Sequence, residues 1–134
     1  MINFNGTITD QSDQLINNRA FLYGDSVFET LRIIDNKIVF WEDHYFRLMS
    51  SMRVLRFNIP NSFTPEFLKN EILKLNSTSN LGLNSRIRIT VYRNSPGRYK
   101  PITNDIGYII NIDRIENSKY FIEKKEVKVD LYKD

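Results

Sequence analysis

The chain has 134 residues, 19 Lys and Arg against 16 Asp and Glu, 41% apolar and 13% aromatic residues and a net charge of +3; this is one domain with enough apolar material for a core, neither a disordered segment nor a polybasic tail. The lack of cysteine and the single histidine, His44, exclude a disulfide framework, a cysteine nucleophile and a multi-histidine metal site. No apolar run approaches the roughly twenty residues of a membrane span, and MINFNGTITD lacks the charged-then-apolar layout of a secretory signal, so a soluble, intracellular single domain is the expectation.

In chain order, Ile2, Phe4 and Ile8 surround Asn5-Gly6, a strong hairpin signal. Residues 10–19 are polar and without period. Val27–Ile34 reads as a strand that turns at Asp35-Asn36 into a second strand over Lys37–Phe40. At Trp41 the period changes: Trp41, Tyr45, Leu48, Met49, Met52 and Leu55 recur at helical steps, opposite Glu42, Asp43, Arg47, Ser50 and Arg53. Thr64-Pro65-Glu66 opens a second helix through Leu75, with a capping hydroxyl and proline in the first turn. Ser85–Arg93 alternates Ile87, Ile89 and Val91 against Arg86, Arg88, Thr90 and Tyr92. A loop over Asn94–Asp105 leads to an apolar strand over Ile106–Arg114, and Glu126–Leu131 alternates again. Strands and helices are segregated and hairpins dominate, which predicts an α+β domain with a mainly antiparallel sheet and two principal helices. The last alternation runs on almost to Asp134, which suggests that the chain, a single domain over residues 1–134, is cut from a larger protein.

Three places carry candidate chemistry. In Phe21–Arg32, a Tyr-Gly-Asp-Ser turn enters a strand with Phe28, Thr30, Arg32 and Ile34 on one face and Val27, Glu29, Leu31 and Ile33 on the other; Glu29 and Arg32 read equally as residues of a sheet boundary. Arg47 lies four residues after Asp43, and spacing alone favours a surface ion pair there over the alternative, an anion held by the guanidinium. Arg86 and Arg88 begin a set with Arg93, Arg98 and Lys100, beside Tyr92 and Tyr99; this is either an exposed sheet face or a site for a carboxylate, a phosphate or single-stranded nucleic acid. His44 reads as a helix-surface or interface residue.

Together these segments resemble the N-terminal part of the class IV, fold-type IV pyridoxal-phosphate enzymes, among them branched-chain aminotransferase, D-amino-acid aminotransferase and aminodeoxychorismate lyase. The resemblance lies in FLYGDSVFETLR (21–32), in His44-x-x-Arg47-Leu48, and in Val91-Tyr92-Arg93 followed by Gly97-Arg98-Tyr99. It implies pyridoxal 5′-phosphate as cofactor with Arg47 on its phosphate. It further implies Tyr23, Phe28, Arg32 and Arg88 around the substrate, and Arg98 as a loop arginine for the substrate carboxylate. An amino-acid or 2-oxo-acid substrate, a homodimer and a cytoplasmic enzyme without nucleic-acid or membrane partners also follow, the chemistry being amino transfer or pyruvate-releasing cleavage of 4-amino-4-deoxychorismate. Ser26 stands where the family more often has glycine, and Thr30 where branched-chain members have it, which leans toward the lyase or a broader aminotransferase. Family members are longer, with the Schiff-base lysine and the acid facing the pyridine nitrogen in a larger C-terminal domain. Lys124, Lys125, Lys128 and Lys133 precede that lysine's position, so no catalytic residue is expected here and the chain alone should be inactive. The competing readings are a basic domain binding an anionic partner such as RNA through Arg86, Arg88, Arg93, Arg98 and Tyr99, and a half-length pseudoenzyme.

Overall fold

The computed structural model describes residues 1–9, 18–81, 83–96, 99–116 and 126–131. Asn5 and Gly6 take φ of 50° and 91°, the left-handed pair that a tight hairpin turn needs, and fold β1 (Ile2–Phe4) against β2 (Thr7–Thr9). Asp35 and Asn36, at φ 48° and 61°, do the same between β3 (Ser26–Ile34) and β4 (Lys37–Ile38). The second strand stops earlier than its β-branched sequence suggested. Phe40 turns left-handed, with φ 54°, to lead into α2 (Trp41–Val54).

α2 has Glu42 and Asp43 in its first turn and Arg53 in its last, signs that suit the helix dipole. In α3 (Pro65–Ser79) the Thr64 hydroxyl accepts the Phe67 N–H at 3.1 Å, satisfying one of the orphan donors of the first turn. Thr64→Ala is expected to lower stability by about 1 kcal/mol; an unchanged urea midpoint would show that this cap contributes nothing.

β5 (Ser85–Arg93) and β6 (Ile106–Arg114) complete a sheet of order β2-β1-β6-β5-β3-β4 in which every pairing is antiparallel. One face is the core. Leu31, Ile87 and Ile112 lie in register across three strands, and Ile33, Ile89, Val91 and Ile110 share their side. Leu48, Met49 and Met52 of α2 and Leu68, Ile72 and Leu75 of α3 close over them. At about 1.5–3 kcal/mol for each large apolar side chain removed from water, this layer is the main source of stability. The α+β class and both long helices thus stand as expected.

Two elements depart from expectation. A short helix, α1 (Arg19–Tyr23), occupies a stretch that has no period, bounded by Asn18, whose side chain caps it, and by Gly24 at φ 65°. Residues 126–131 form no strand, and Val127, Val129 and Leu131 are more than four-fifths exposed; alternation defines two faces but supplies no neighbour to pair with. Among the described residues no helix is long and apolar enough to cross a membrane.

Candidate functional site

The sheet's other face carries polar and aromatic side chains in registered rows. Phe28, Thr90, Ile109 and Phe4 form one row; Thr30, Arg88, Asn111 and Ile2 the next; Arg32, Arg86 and Asp113 a third. A cleft of about 550 Å³ opens over them, lined by Ser26, Arg86, Arg88, Thr90, Tyr92 and Asn111, with Ala20 and Phe21 of α1 at its margin. The Arg88 guanidinium lies over the Phe28 ring, 3.9 Å from its centroid, a cation–π contact that keeps the charge over an exposed aromatic. Arg86 is held at 3.4 Å by Asp113. The face therefore presents guanidinium donors above apolar rings, suited to a carboxylate attached to a carbon skeleton.

Tyr23 ends α1, half-exposed, with the Arg19 guanidinium 5.1 Å from its ring centre. Phe28, Arg32 and Arg88 are brought together on one face by register. Arg98 lies outside the described residues. Arg93 does not join the cationic set: it is 7% exposed and turned inward. Its Nε donates to Asp25 at 2.9 Å, its Nη2 to the Leu55 carbonyl at 2.9 Å and its Nη1 to Asn104, while its guanidinium stacks on Phe57. Arg19 also donates to Asp25, at 2.9 Å. The pairing preference of two guanidiniums for one buried carboxylate outweighs exposure here, so the basic surface expected of Arg86, Arg88, Arg93, Arg98 and Tyr99 loses its middle member.

Arg47 lies across β3 from the cleft. α2 packs on the core side of the sheet, where Glu29 points, and Arg47 donates to that carboxylate through Nε at 2.7 Å and Nη2 at 2.6 Å. The surface pair with Asp43 is replaced by this two-point fork, because a buried carboxylate 18 residues away in sequence competes better than an exposed neighbour one helical turn back. His44 Nδ1 reaches the same carboxylate at 2.8 Å and its side chain is 15% exposed, so it is a half-buried partner of Glu29 rather than a free helix-surface residue. Burial pushes the Glu29 carboxyl up, but the N–H donors and charges of Arg47 and His44 outweigh that and hold it below the usual carboxylate range. The hydrogen bond and charge of Glu29 in turn raise the Arg47 guanidinium. The Arg47 side chain is 58% exposed, and its Nη1 has no protein partner among the described residues. On the side of β3 away from β5, β4 pairs only with Ile33 and Ile34, and among the described residues no strand lies beside Val27–Leu31 on that side.

Sequence reasoning left Glu29 at a sheet boundary and His44 on a helix surface or interface, gave Asp25 no partner, and foresaw none of their pairings with arginine. A carboxylate in the alternating series Val27, Glu29, Leu31, Ile33 was the available signal, since an acid on a core face needs a cation brought to it.

The α+β domain thus carries an exposed arginine on one side of β3 and a basic, aromatic cleft on the other. The chain belongs to the class IV amino-transferase family, whose model matches residues 26–133. Its fold is similar to that of branched-chain amino acid aminotransferase from Escherichia coli, with TM-score 0.73 at 24% identity over 85% of this chain and 40% of that one. The branched-chain aminotransferase from the archaeon Thermoproteus uzoniensis, in its structure with norvaline, gives TM-score 0.70 at 19% identity over 84% and 40%. The 4-amino-4-deoxychorismate lyase from Pseudomonas aeruginosa gives 0.64 at 20% identity over 85% and 39%. The chain therefore spans about two fifths of the length of these structures. No curated protein sequence matches it significantly.

Proposed function

We propose that this chain is the N-terminal domain of a longer pyridoxal-phosphate-dependent enzyme acting on an amino-acid or 2-oxo-acid substrate, by amino transfer or by pyruvate-releasing cleavage, and working as a homodimer in the cytoplasm. Arg47 holds the cofactor phosphate, and Phe28, Arg32 and Arg88, with Tyr23 and the loop Arg98, form the substrate side. The observation that carries this reading is the Glu29–Arg47 fork. It uses the Nε–Nη2 edge of the guanidinium and leaves Nη1 without a protein partner among the described residues, on a side chain that is 58% exposed, so the donors present fit a phosphate.

When bound, pyridoxal phosphate supplies an electron sink for chemistry at the substrate α-carbon. What the residues of this chain supply is binding and orientation. Arg47 sets a permanent cation against a dianion, and Arg88, backed by Phe28, offers a guanidinium to a substrate carboxylate. Among the described residues no lysine lies on the cleft or beside Arg47; in this reading the α-proton is moved by a lysine outside this domain.

The test is Arg47→Ala in the protein at its natural length, comparing affinity for pyridoxal phosphate with that for pyridoxal, which lacks the phosphate. Phosphate-form binding is expected to weaken roughly tenfold to a hundredfold, the scale of a hydrogen bond between charged groups, with pyridoxal binding unchanged. Equal affinity of variant and parent for pyridoxal phosphate would refute the role of Arg47.

A further inference from the structure

Glu29 is out of place by composition. It stands on the face of β3 shared with Leu31 and Ile33, in register with Ile89 and through it Ile110, and its side chain is 7% exposed. An apolar residue there would continue the core at no desolvation cost, whereas a buried carboxylate is tolerated only when well paired. Three N–H groups converge on it. Arg47 and His44 are three residues apart on α2, so one helix face delivers Nε, Nη2 and Nδ1 to the same two oxygens. The geometry also fixes the proton on His44. An ionised carboxylate only accepts and a guanidinium only donates, so Nδ1, 2.8 Å from Glu29 Oε2, carries the hydrogen. The 3.0 Å approach of Arg47 Nη2 to Nδ1 then results from two donors sharing one oxygen.

We propose that Glu29 is a positioning residue for Arg47, fixing its guanidinium by one edge so that the other is held toward the phosphate, with His44 securing the carboxylate. This rests on the assignment of Arg47 to the phosphate made above. Two physical effects of Glu29 on an anion at Arg47 have opposite signs. As a charge, it opposes a dianion bound next to it, and its removal should tighten binding. As a clamp, it orders a long side chain in advance, and its removal leaves that ordering to be done on binding. The fork geometry and the burial of Glu29 make the clamp the larger effect.

The experiment compares Glu29→Gln and Arg47→Lys with the parent at natural length, titrating pyridoxal phosphate and pyridoxal separately by fluorescence quenching. Glu29→Gln is expected to weaken pyridoxal phosphate binding about threefold to tenfold and to leave pyridoxal unchanged. Arg47→Lys keeps the charge on an exposed position but cannot form the fork, and is expected to weaken the phosphate form at least as much. Should Glu29→Gln fail to fold, Glu29→Asp, which keeps the charge but shortens the reach of the fork by one methylene, takes its place with the same expected loss and the same overturning result. Phosphate-form affinity equal to or tighter than the parent's in Glu29→Gln, or equal in Arg47→Lys, overturns the inference. If Arg47→Ala weakens binding while these two do not, the positioning role falls and the phosphate assignment stands; if Arg47→Ala is also silent, the assignment itself falls.

Discussion

Replacing Asp25 with alanine is expected to lower the unfolding free energy by about 3–5 kcal/mol, the cost of removing one partner from a buried charge network. The carboxylate is 13% exposed and accepts Nε of both Arg19 and Arg93 at 2.9 Å. Without it, two guanidiniums remain side by side without the carboxylate that both bind, and the Arg93 side chain, 9% exposed, cannot turn to water. The loss is not confined to one contact, because Arg93 also binds the Leu55 carbonyl after α2 and Asn104 in the loop before β6. Asp25 thus joins α1, the start of β3, the end of β5 and the end of α2. Urea unfolding followed by Trp41 fluorescence measures the effect, and a loss below about 1 kcal/mol, the scale of an exposed pair, would refute a structural role for the network.

The same residue gives the direction of the pH dependence. Burial alone would raise the Asp25 carboxyl; the hydrogen bonds and charges of Arg93 and Arg19 outweigh it and lower it, as happens at Glu29 with Arg47 and His44. A carboxyl whose folded pKa lies below its unfolded value, near 4, contributes stability that is fully present above that value and is lost as pH falls through the folded one. Stability should therefore hold from neutrality down to about pH 4 and fall below it. Asp25→Asn should have a shallower acid limb than the parent, and parallel acid limbs would show that Asp25 does not titrate as paired.

Much of the fold was legible because its signals are local. Asn5-Gly6 and Asp35-Asn36 need positive φ and have the residues that accept it, the helices carry their period, cap and dipole signs, and the strand alternation separates the core row of Ile87, Ile89 and Val91 from the Arg86–Arg88 face. What escaped depends on partners distant in sequence. Arg47 has a plausible neighbour in Asp43 four residues away, and nothing local says that Glu29 will be buried beneath it instead. Arg93 reads as one more cation in a basic run until the fold places Asp25 against it. α1 is five residues long, too short for a period, and only its bounding Asn18 and Gly24 announce it. Residues 126–131 failed in the other direction, their alternation finding no strand to pair with among the described residues. That Phe28, Arg32 and Arg88 share a sheet face follows from strand parity plus register, and the resemblance to a family supplied the reason to select them.

Gly107→Ala is expected to cost about 3 kcal/mol, the upper part of the range for overpacking. Gly107 lies within β6, directly opposite Tyr92 of β5, and a Cβ there would fall 2.3 Å from Tyr92 Cζ, 2.4 Å from its hydroxyl oxygen and 2.8 Å from Cε2. On backbone grounds alone alanine should be favoured over glycine in a strand, by about 0.5–1 kcal/mol, so the sign depends on whether the ring can move. It has little room to do so. Tyr92 is 1% exposed, stacks on Phe4 at 6.4 Å between centroids, and packs with Ile109, Ile2 and Ala20. The glycine is therefore the space into which the tyrosine ring lies, and the ring forms part of the cleft wall beside Arg88 and Thr90. Tyr92→Phe should give no relief, since Cζ remains, whereas in a Tyr92→Leu background the alanine should become neutral or stabilising. A urea double-mutant cycle measures this directly. Additive energies would mean that the strand, not the ring, excludes a side chain at position 107; strong coupling would mean that one close approach between β5 and β6 both packs the sheet and sets the wall of the cleft.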